Sequence, residues 1–152
     1  MTAPEREDGF TLLEIVCVLS IVAMLAAIAF PAFPRASSRA RLEGFAIETA
    51  ALLKGDRNAA LRRGAHVATE LDAAGKTIRS GAGGRVLRFP NDVGFKATLA
   101  ERCGRYAAGT TIDFFPTGMS CGGSISLSRL GATFEIHVNW LTGGIDVVPA
   151  KT

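Results

Sequence analysis

A single acidic side chain, that of Glu14, interrupts an otherwise uncharged run from Phe10 to Phe33. A carboxylate in the hydrocarbon core of a membrane costs about 2.5–3.5 kcal/mol on insertion scales, so such a group is a functional candidate by default. Pairing with a positive charge offsets this cost only when the geometry is good. The chemistry that Glu14 offers is therefore ion pairing.

Residues that would support catalysis or cofactor binding are few. His66 and His137 are the only histidines, and no C-x-x-C or H-E-x-x-H spacing is present, so no zinc site is expected. Gly81, Gly83 and Gly84 do not connect a strand to a helix, the context that a phosphate-binding loop requires. The sequence predicts no enzyme activity, no cofactor and no metal site.

The uncharged run predicts one membrane-spanning helix. About 20 apolar residues cross the ~30 Å hydrocarbon core, and the run is long enough for one crossing. Three alternatives remain: a secretory signal peptide cleaved after Ala27-Ile28-Ala29, a plain single-span anchor, and a buried core helix. A signal peptide needs a basic start, whereas Met1–Asp8 holds one base against three acids. The anchor leaves Glu14 unexplained, and the run is too long for a core helix.

The N-terminal residues resemble the processing signal of type IV pilins and type II secretion pseudopilins. The matching features are a short polar leader ending in Gly9, the aromatic Phe10, the sequence Thr11-Leu12-Leu13-Glu14, and Pro31 farther along. The resemblance implies that a prepilin peptidase cleaves between Gly9 and Phe10 and methylates the Phe10 amine. It further implies that Glu14 serves filament assembly and that Pro31 distorts the helix.

The charges beside the span favour the orientation opposite to that of this family. Arg35, Arg39 and Arg41 follow the span and only Arg6 precedes it. The positive-inside rule would therefore place the C-terminal side of the span in the cytoplasm, whereas the family places the leader there. We keep the leader in the cytoplasm because the cleavage motif is more specific than a charge count. Loss of Met1–Gly9 raises the formal charge from +3 to +5, since this segment has one base and three acids.

Downstream, a second helical segment is predicted over residues 34–64. Its apolar face is formed by residues at three- and four-residue spacing, namely Leu42, Phe45, Ala46, Thr49, Leu52, Leu53 and Ala60. Asp56 falls on this face, where it either ends the packed stripe or forms a buried ion pair with Arg57 or Arg63. Residues 57–64 resemble the end of the first helix in the GspH/FimT group, whose members usually carry a small apolar residue in place of Asp56. For this reason the sequence does not decide whether the last turn of the helix forms.

From Ala65 the period of the pattern changes to two, which predicts antiparallel strands. Strands are expected at 67–71, 85–89, 93–99, 111–115, 124–129, 132–141 and 145–148, with loops at 72–84 and 100–110. In the strand over 132–141, the buried side is predicted to comprise Phe134, Ile136, Val138 and Trp140. His137 faces the other way and is interpreted as a surface residue.

The order of these C-terminal segments resembles the GspH-type globular domain. The resemblance implies an α+β, type IV pilin-like fold, in which a long N-terminal helix, transmembrane in its first half, packs on antiparallel sheets. The domains are then a leader (1–9), a transmembrane and assembly helix (10–33), the soluble half of that helix (34–64) and a β-rich periplasmic domain (65–152).

The predictions for the cysteines depend on the cellular compartments that this resemblance implies. Cys103 and Cys121 would lie in the oxidising periplasm, so a disulfide between them is predicted, with two buried free thiols as the alternative. Cys17 would lie in the span, as an apolar side chain against lipid or a neighbouring helix.

Two functions remain open. The first is a minor pseudopilin of the type II secretion system, anchored in the inner membrane, whose partners are other pseudopilins, prepilin peptidase, the inner-membrane assembly platform and, before assembly, the lipid bilayer. The second is a FimT-like minor pilin for pilus biogenesis or DNA uptake. Nucleic acid is not expected as a partner, because the C-terminal stretch has little positive charge. The candidates for a basic patch elsewhere are Arg79, Arg85, Arg88, Arg102 and Arg105.

Overall fold

The computed structural model describes residues 10–29, 38–104 and 106–150. Gly9 and Pro31, two of the predicted functional positions, lie outside these residues, as does Arg105. The chain divides into two compact units, residues 1–35 and 36–152.

The first unit contains one helix, α1 (Leu12–Ala29). Thr11 caps its N-terminus, because the Glu14 amide donates to Thr11 Oγ1 at 3.3 Å and to the Thr11 carbonyl oxygen at 3.0 Å. Within the described residues, no helix is both long enough and apolar enough to cross a membrane. The predicted span extends to Phe33, and residues 30–33 lie outside the described residues.

The second unit begins with α2 (Ser38–Arg63). Its buried face contains the predicted apolar residues, with Phe45 half-buried at its margin. Asp56 does not end this face, because the helix continues regularly to Arg63, and among the described residues its carboxylate forms no ion pair. The carboxylate is accommodated by hydrogen-bond donors from residues that follow the helix, which the helix sequence alone does not reveal.

Two four-stranded antiparallel sheets follow the helix. The first has the order β3-β2-β1-β7, made of β1 (Val67–Asp72), β2 (Thr77–Arg79), β3 (Val86–Arg88) and β7 (Thr111–Phe114). The second has the order β10-β9-β8-β4, made of β4 (Gly94–Leu99), β8 (Gly123–Arg129), β9 (Ala132–Val138) and β10 (Ile145–Ala150). Because α2 contacts strands of both sheets, the core lies between the helix and the sheets. The predicted α+β class is confirmed.

Two predicted loops contain strands. The segment 72–84 includes β2, and the segment 100–110 includes a small hairpin of β5 (Arg102–Cys103) and β6 (Tyr106–Ala107). β2, β5 and β6 have only two or three residues each, and no alternating pattern extends beyond them in the sequence. β2 forms because Ile78, fully buried, pairs with Leu71 on one side and Leu87 on the other.

The prediction for Trp140 is wrong. β9 ends at Val138, and Trp140 is 61% exposed. The strand stops because Asn139 forms a turn, in which its Oδ1 accepts hydrogen bonds from the amides of Leu141 at 2.9 Å and Thr142 at 3.0 Å. The alternating pattern continues past the point at which strand pairing ends.

Candidate functional site

The N-terminal end of α1 carries the residues predicted for processing and assembly. Phe10 and Glu14 are both exposed, and Glu14 lies in the first helical turn, where a carboxylate also interacts favourably with the helix dipole. Every side chain described in this helix, from Leu12 to Ala26, is exposed. The helix therefore presents an apolar surface on all sides with one carboxylate near its start.

Cys17 lies on the same helix as a free, exposed thiol. Elsewhere, the parts of the chain that the structure describes contain no group of three or more His, Cys, Asp or Glu side chains able to hold a metal ion. The chemistry available at α1 is thus pairing and packing.

Asp56 occupies a pocket of hydrogen-bond donors under α2. Its side chain is 1% exposed. Thr69 Oγ1 donates to Oδ2 at 2.6 Å and Ser80 Oγ donates to Oδ1 at 2.5 Å. The amides of Gly81 and Ala82 complete the pocket at 3.1 and 3.2 Å. Because all four donors are uncharged, the carboxylate ties α2 to β1 and to the 80–82 loop without a salt bridge.

Arg57, the next residue, connects α2 to two loops at the other side of the domain. Its Nε donates to the Gly118 carbonyl oxygen at 3.2 Å, and its Nη2 donates to the Thr142 carbonyl oxygen at 2.9 Å. Gly143 has a φ of 62°, and a side chain there would collide with the Gly118 carbonyl. The loops therefore touch through their backbones, with the guanidinium holding both.

A third polar cluster lies beside the disulfide. Cys103 and Cys121 are joined, with 5.5 Å between their Cα atoms. Next to Cys121, the buried Asp113 carboxylate contacts His66 Nε2 at 2.8 Å and accepts a hydrogen bond from Thr111 Oγ1 at 2.9 Å. The bridge fixes the β5–β6 hairpin to the segment that connects β7 and β8.

The basic residues considered as a patch are partly neutralised. Arg85 Nη2 lies 2.6 Å from Glu48 Oε1, and Arg79 Nε lies 3.6 Å from Glu70 Oε2. Arg88 and Arg102 are exposed. His137 contacts Glu135 at 3.1 Å and is half-exposed, as expected of a surface residue.

Two structural features were missed by sequence reasoning, namely the Arg57 contacts and the outward position of Trp140. The signals in the sequence that bear on the Arg57 contacts are the glycines of the two loops, Gly118 and Gly143, both with positive φ. Such glycines indicate tight turns, but a sequence does not show that two turns share one arginine.

Comparison with known proteins finds similarity both in the N-terminal segment and along most of the chain. The family model described as "Prokaryotic N-terminal methylation motif" matches residues 6–30. The type II secretion system protein H of Xanthomonas campestris is 26% identical over 144 residues, which cover 95% of this chain and 85% of that protein. The chain therefore carries an N-terminal methylation motif and is similar to a type II secretion protein along most of its length. The matched motif includes Gly9, Phe10 and Glu14.

Solved structures show the same fold at low sequence identity. The minor pseudopilin EpsH of Vibrio cholerae superimposes on this chain with a TM-score of 0.59 at 10% identity, over 76% of this chain and 99% of that one. The type IV minor pilin FimU of Pseudomonas aeruginosa gives a TM-score of 0.56 at 16% identity, over 74% and 92% of the two chains. The pilin-like fold is thus shared with secretion and pilus proteins alike.

Proposed function

We propose that this protein is a structural minor pseudopilin of the type II secretion system. In this role it assembles near the tip of a periplasmic pseudopilus that drives export of folded proteins. The observation that carries the proposal is the N-terminal segment, in which a methylation motif includes an apolar helix with a single carboxylate in its first turn. The likeness to a secretion protein along nearly the whole chain supports it.

Processing creates the partner that Glu14 needs. Cleavage between Gly9 and Phe10 leaves a positively charged amine on Phe10, four residues before the Glu14 carboxylate. The carboxylate pairs with the amine of its own chain or of an adjoining subunit. In a medium of low dielectric, such a pair compensates the desolvation of both charges only in good geometry. The pair therefore sets the register between subunits as well as contributing to their association.

This assembly mechanism also implies a location for each remaining part of the chain. The segment 10–33 lies in the inner membrane before assembly, where prepilin peptidase and the assembly platform act on it, and afterwards packs against the helices of other pseudopilins. Pro31 allows the helix to bend at the end of this segment. The second unit, with its sheets and its disulfide, faces the periplasm.

The alternative is a FimT-like minor pilin, favoured by the likeness to FimU. DNA uptake in that role would need arginines and lysines free to contact phosphates. Arg79 and Arg85 contact acids instead, which favours the secretion function. Loss of the gene should therefore abolish secretion of folded proteins while leaving pili and DNA uptake intact; the reverse pattern would establish the alternative.

Glu14→Ala tests the assembly mechanism. The variant should insert and should still be cleaved and methylated, because its cleavage site is intact, but it should no longer co-purify with other pilin-like subunits. Glu43→Ala is the matched control, since it removes an exposed carboxylate from α2. Normal incorporation of the Glu14→Ala protein would refute the role assigned to this residue.

A further inference from the structure

Two arginines occupy the first turn of α2, the end of the helix that follows the predicted membrane span. Arg39 and Arg41 are both exposed, and this turn contains no acidic residue. The positive end of the helix dipole lies here, so cations at these positions interact unfavourably with the helix itself. The stability of α2 therefore does not account for the two charges, whereas an anion outside the chain would.

A leucine in the β8–β9 hairpin is equally unexplained by the fold. Leu130 lies in the two-residue turn that connects these strands, where its φ is 47° and it is 82% exposed. Such turns favour Gly, Asn or Asp, because a bulky side chain is strained at positive φ. Since Leu130 suits neither the turn nor the core, we interpret it as an apolar contact for something outside the domain.

A groove of about 450 Å³ brings the hairpin and the start of α2 together. The Arg39 guanidinium lies over the Phe134 ring, 5.9 Å from its centroid, and this contact holds it at the groove. Arg39 is the only charged residue that lines the groove, so the potential there is positive. The other lining residues belong to the hairpin and to the end of β10: Gly131, Ala132, Thr133, Phe134, Pro149 and Ala150.

The sequence tethers this end of α2 to the membrane by a short piece of chain. Arg39 follows Phe33, the last residue of the predicted span, by six positions. An extended chain covers at most about 3.5 Å per residue, so no more than about 20 Å of chain separates the two residues. Arg62, at the other end of α2, lies about 35 Å farther along the helix, at ~1.5 Å per residue. The two arginines are thus at the tethered end, where a membrane surface is the nearest source of anions.

We propose that this end of the second unit docks on anionic phospholipids of the membrane in which the chain is anchored. Arg39 and Arg41 pair with headgroup phosphates, and Leu130 enters the boundary between headgroups and acyl chains. Because the chain is anchored, docking is an intramolecular step, so a weak attraction is sufficient. The inference rests on the proposed function for the membrane anchor, and it extends that function by naming a lipid contact of the globular unit before assembly.

Spin labels on the full chain in nanodiscs test the proposal. In a Cys17→Ala background, which leaves only the bridged cysteines, an apolar nitroxide is attached at Leu130→Cys or, as the control, at the exposed Leu141→Cys. Leu141 precedes Thr142, whose carbonyl Arg57 binds well away from the start of α2. A nickel-chelating lipid reports how closely each label approaches the headgroups. With anionic phosphatidylglycerol, we expect the label at 130 to be about fivefold more accessible to nickel than the label at 141, and with zwitterionic phosphatidylcholine to lose most of this difference.

Charge reversal at Arg39 tests the chemistry of the contact. Arg39→Glu changes the charge by two units and should lower the ratio of docked to undocked chains by about 25-fold, at about fivefold per unit charge near an anionic surface. The helix dipole favours an acid in the first turn, so disruption of α2 is not expected to produce this result. Arg62→Glu makes the same charge change at the other end of the helix and should leave the ratio unchanged.

Incorporation into the nanodiscs is measured in the same samples so that two failures can be distinguished. If the chain incorporates, yet the label at 130 is no more accessible than the label at 141, or its accessibility responds neither to lipid charge nor to Arg39→Glu, the docking proposal is overturned and the proposed function stands. That result would assign the arginines to another occupant, such as a protein subunit. If the chain does not incorporate, the predicted span and the proposed function fail, and the docking proposal fails with them.

Discussion

The buried carboxylate of Asp56 makes the sharpest prediction about stability. Asp56→Ala removes the acceptor shared by Thr69 Oγ1, Ser80 Oγ and the amides of Gly81 and Ala82. No other residue of α2 joins the helix to both β1 and the 80–82 loop through one polar group within the described structure.

The expected loss of stability depends on which hydrogen-bond donors stay buried after the substitution. Thr69 and Ser80 are buried, and a buried donor left without a partner costs about 1–3 kcal/mol. The two amides are only partly buried, so water can replace the carboxylate there at small cost. Asp56→Ala also removes the free-energy cost of burying the carboxylate, which reduces the net loss of stability. We expect the free energy of unfolding to fall by about 3–4 kcal/mol, and Tm to fall by roughly 10–20 °C.

Thermal unfolding of the purified chain in detergent, followed by the β-sheet signal in circular dichroism, measures this loss. Glu70→Ala is the control, because it removes an exposed carboxylate paired with Arg79 and should change stability by less than about 1 kcal/mol. In addition, Thr69→Val should cost less in the Asp56→Ala background than alone, since the hydroxyl has already lost its acceptor. An Asp56→Ala protein that melts within about 2 °C of the wild type would refute this reasoning.

Three further substitutions or treatments test the loops and the disulfide. Arg57→Ala should lower the free energy of unfolding by about 1–3 kcal/mol and speed amide exchange mainly at residues 116–120 and 139–144, as measured by mass spectrometry; uniform acceleration would contradict the role of the guanidinium. Gly143→Ala should lower Tm more than Gly131→Ala, because both have positive φ but only the first places a methyl group against another loop; equal Tm values would contradict the contact. Reduction of the Cys103–Cys121 bridge should cost about 3 kcal/mol in the chain-entropy model, and unchanged melting with dithiothreitol would contradict it.

The longer strands and the packed face of α2 were predictable because their patterns are local. Val67, Thr69 and Leu71 alternate with more exposed residues in β1, and Phe134, Ile136 and Val138 do so in β9. Each strand of this kind repeats its pattern over six or seven residues. Burial of one face fixes such a pattern in the sequence itself.

The features that were missed in α2 depend on contacts between distant residues. The partners of Asp56 are 13 to 26 residues away in sequence, and those of Arg57 are 61 and 85 residues away. Trp140 continues an alternating pattern, but the Asn139 turn directs the chain out of the sheet. Asp56 and Arg57 satisfy backbone or hydroxyl groups that only the folded chain brings within reach, whereas the Asn139 turn is local and interrupts a pattern that the sequence continues.

The central claim is that the chain enters a filament through a processed Phe10 and the Glu14 carboxylate. The measurement that tests it most directly is the mass of the intact protein, purified from membranes of cells with and without prepilin peptidase. A chain that begins at methylated Phe10 only when the peptidase is present is the expected result. A chain that begins at Phe30, or that remains uncut in both strains, would contradict the claim and leave Glu14 without its partner amine.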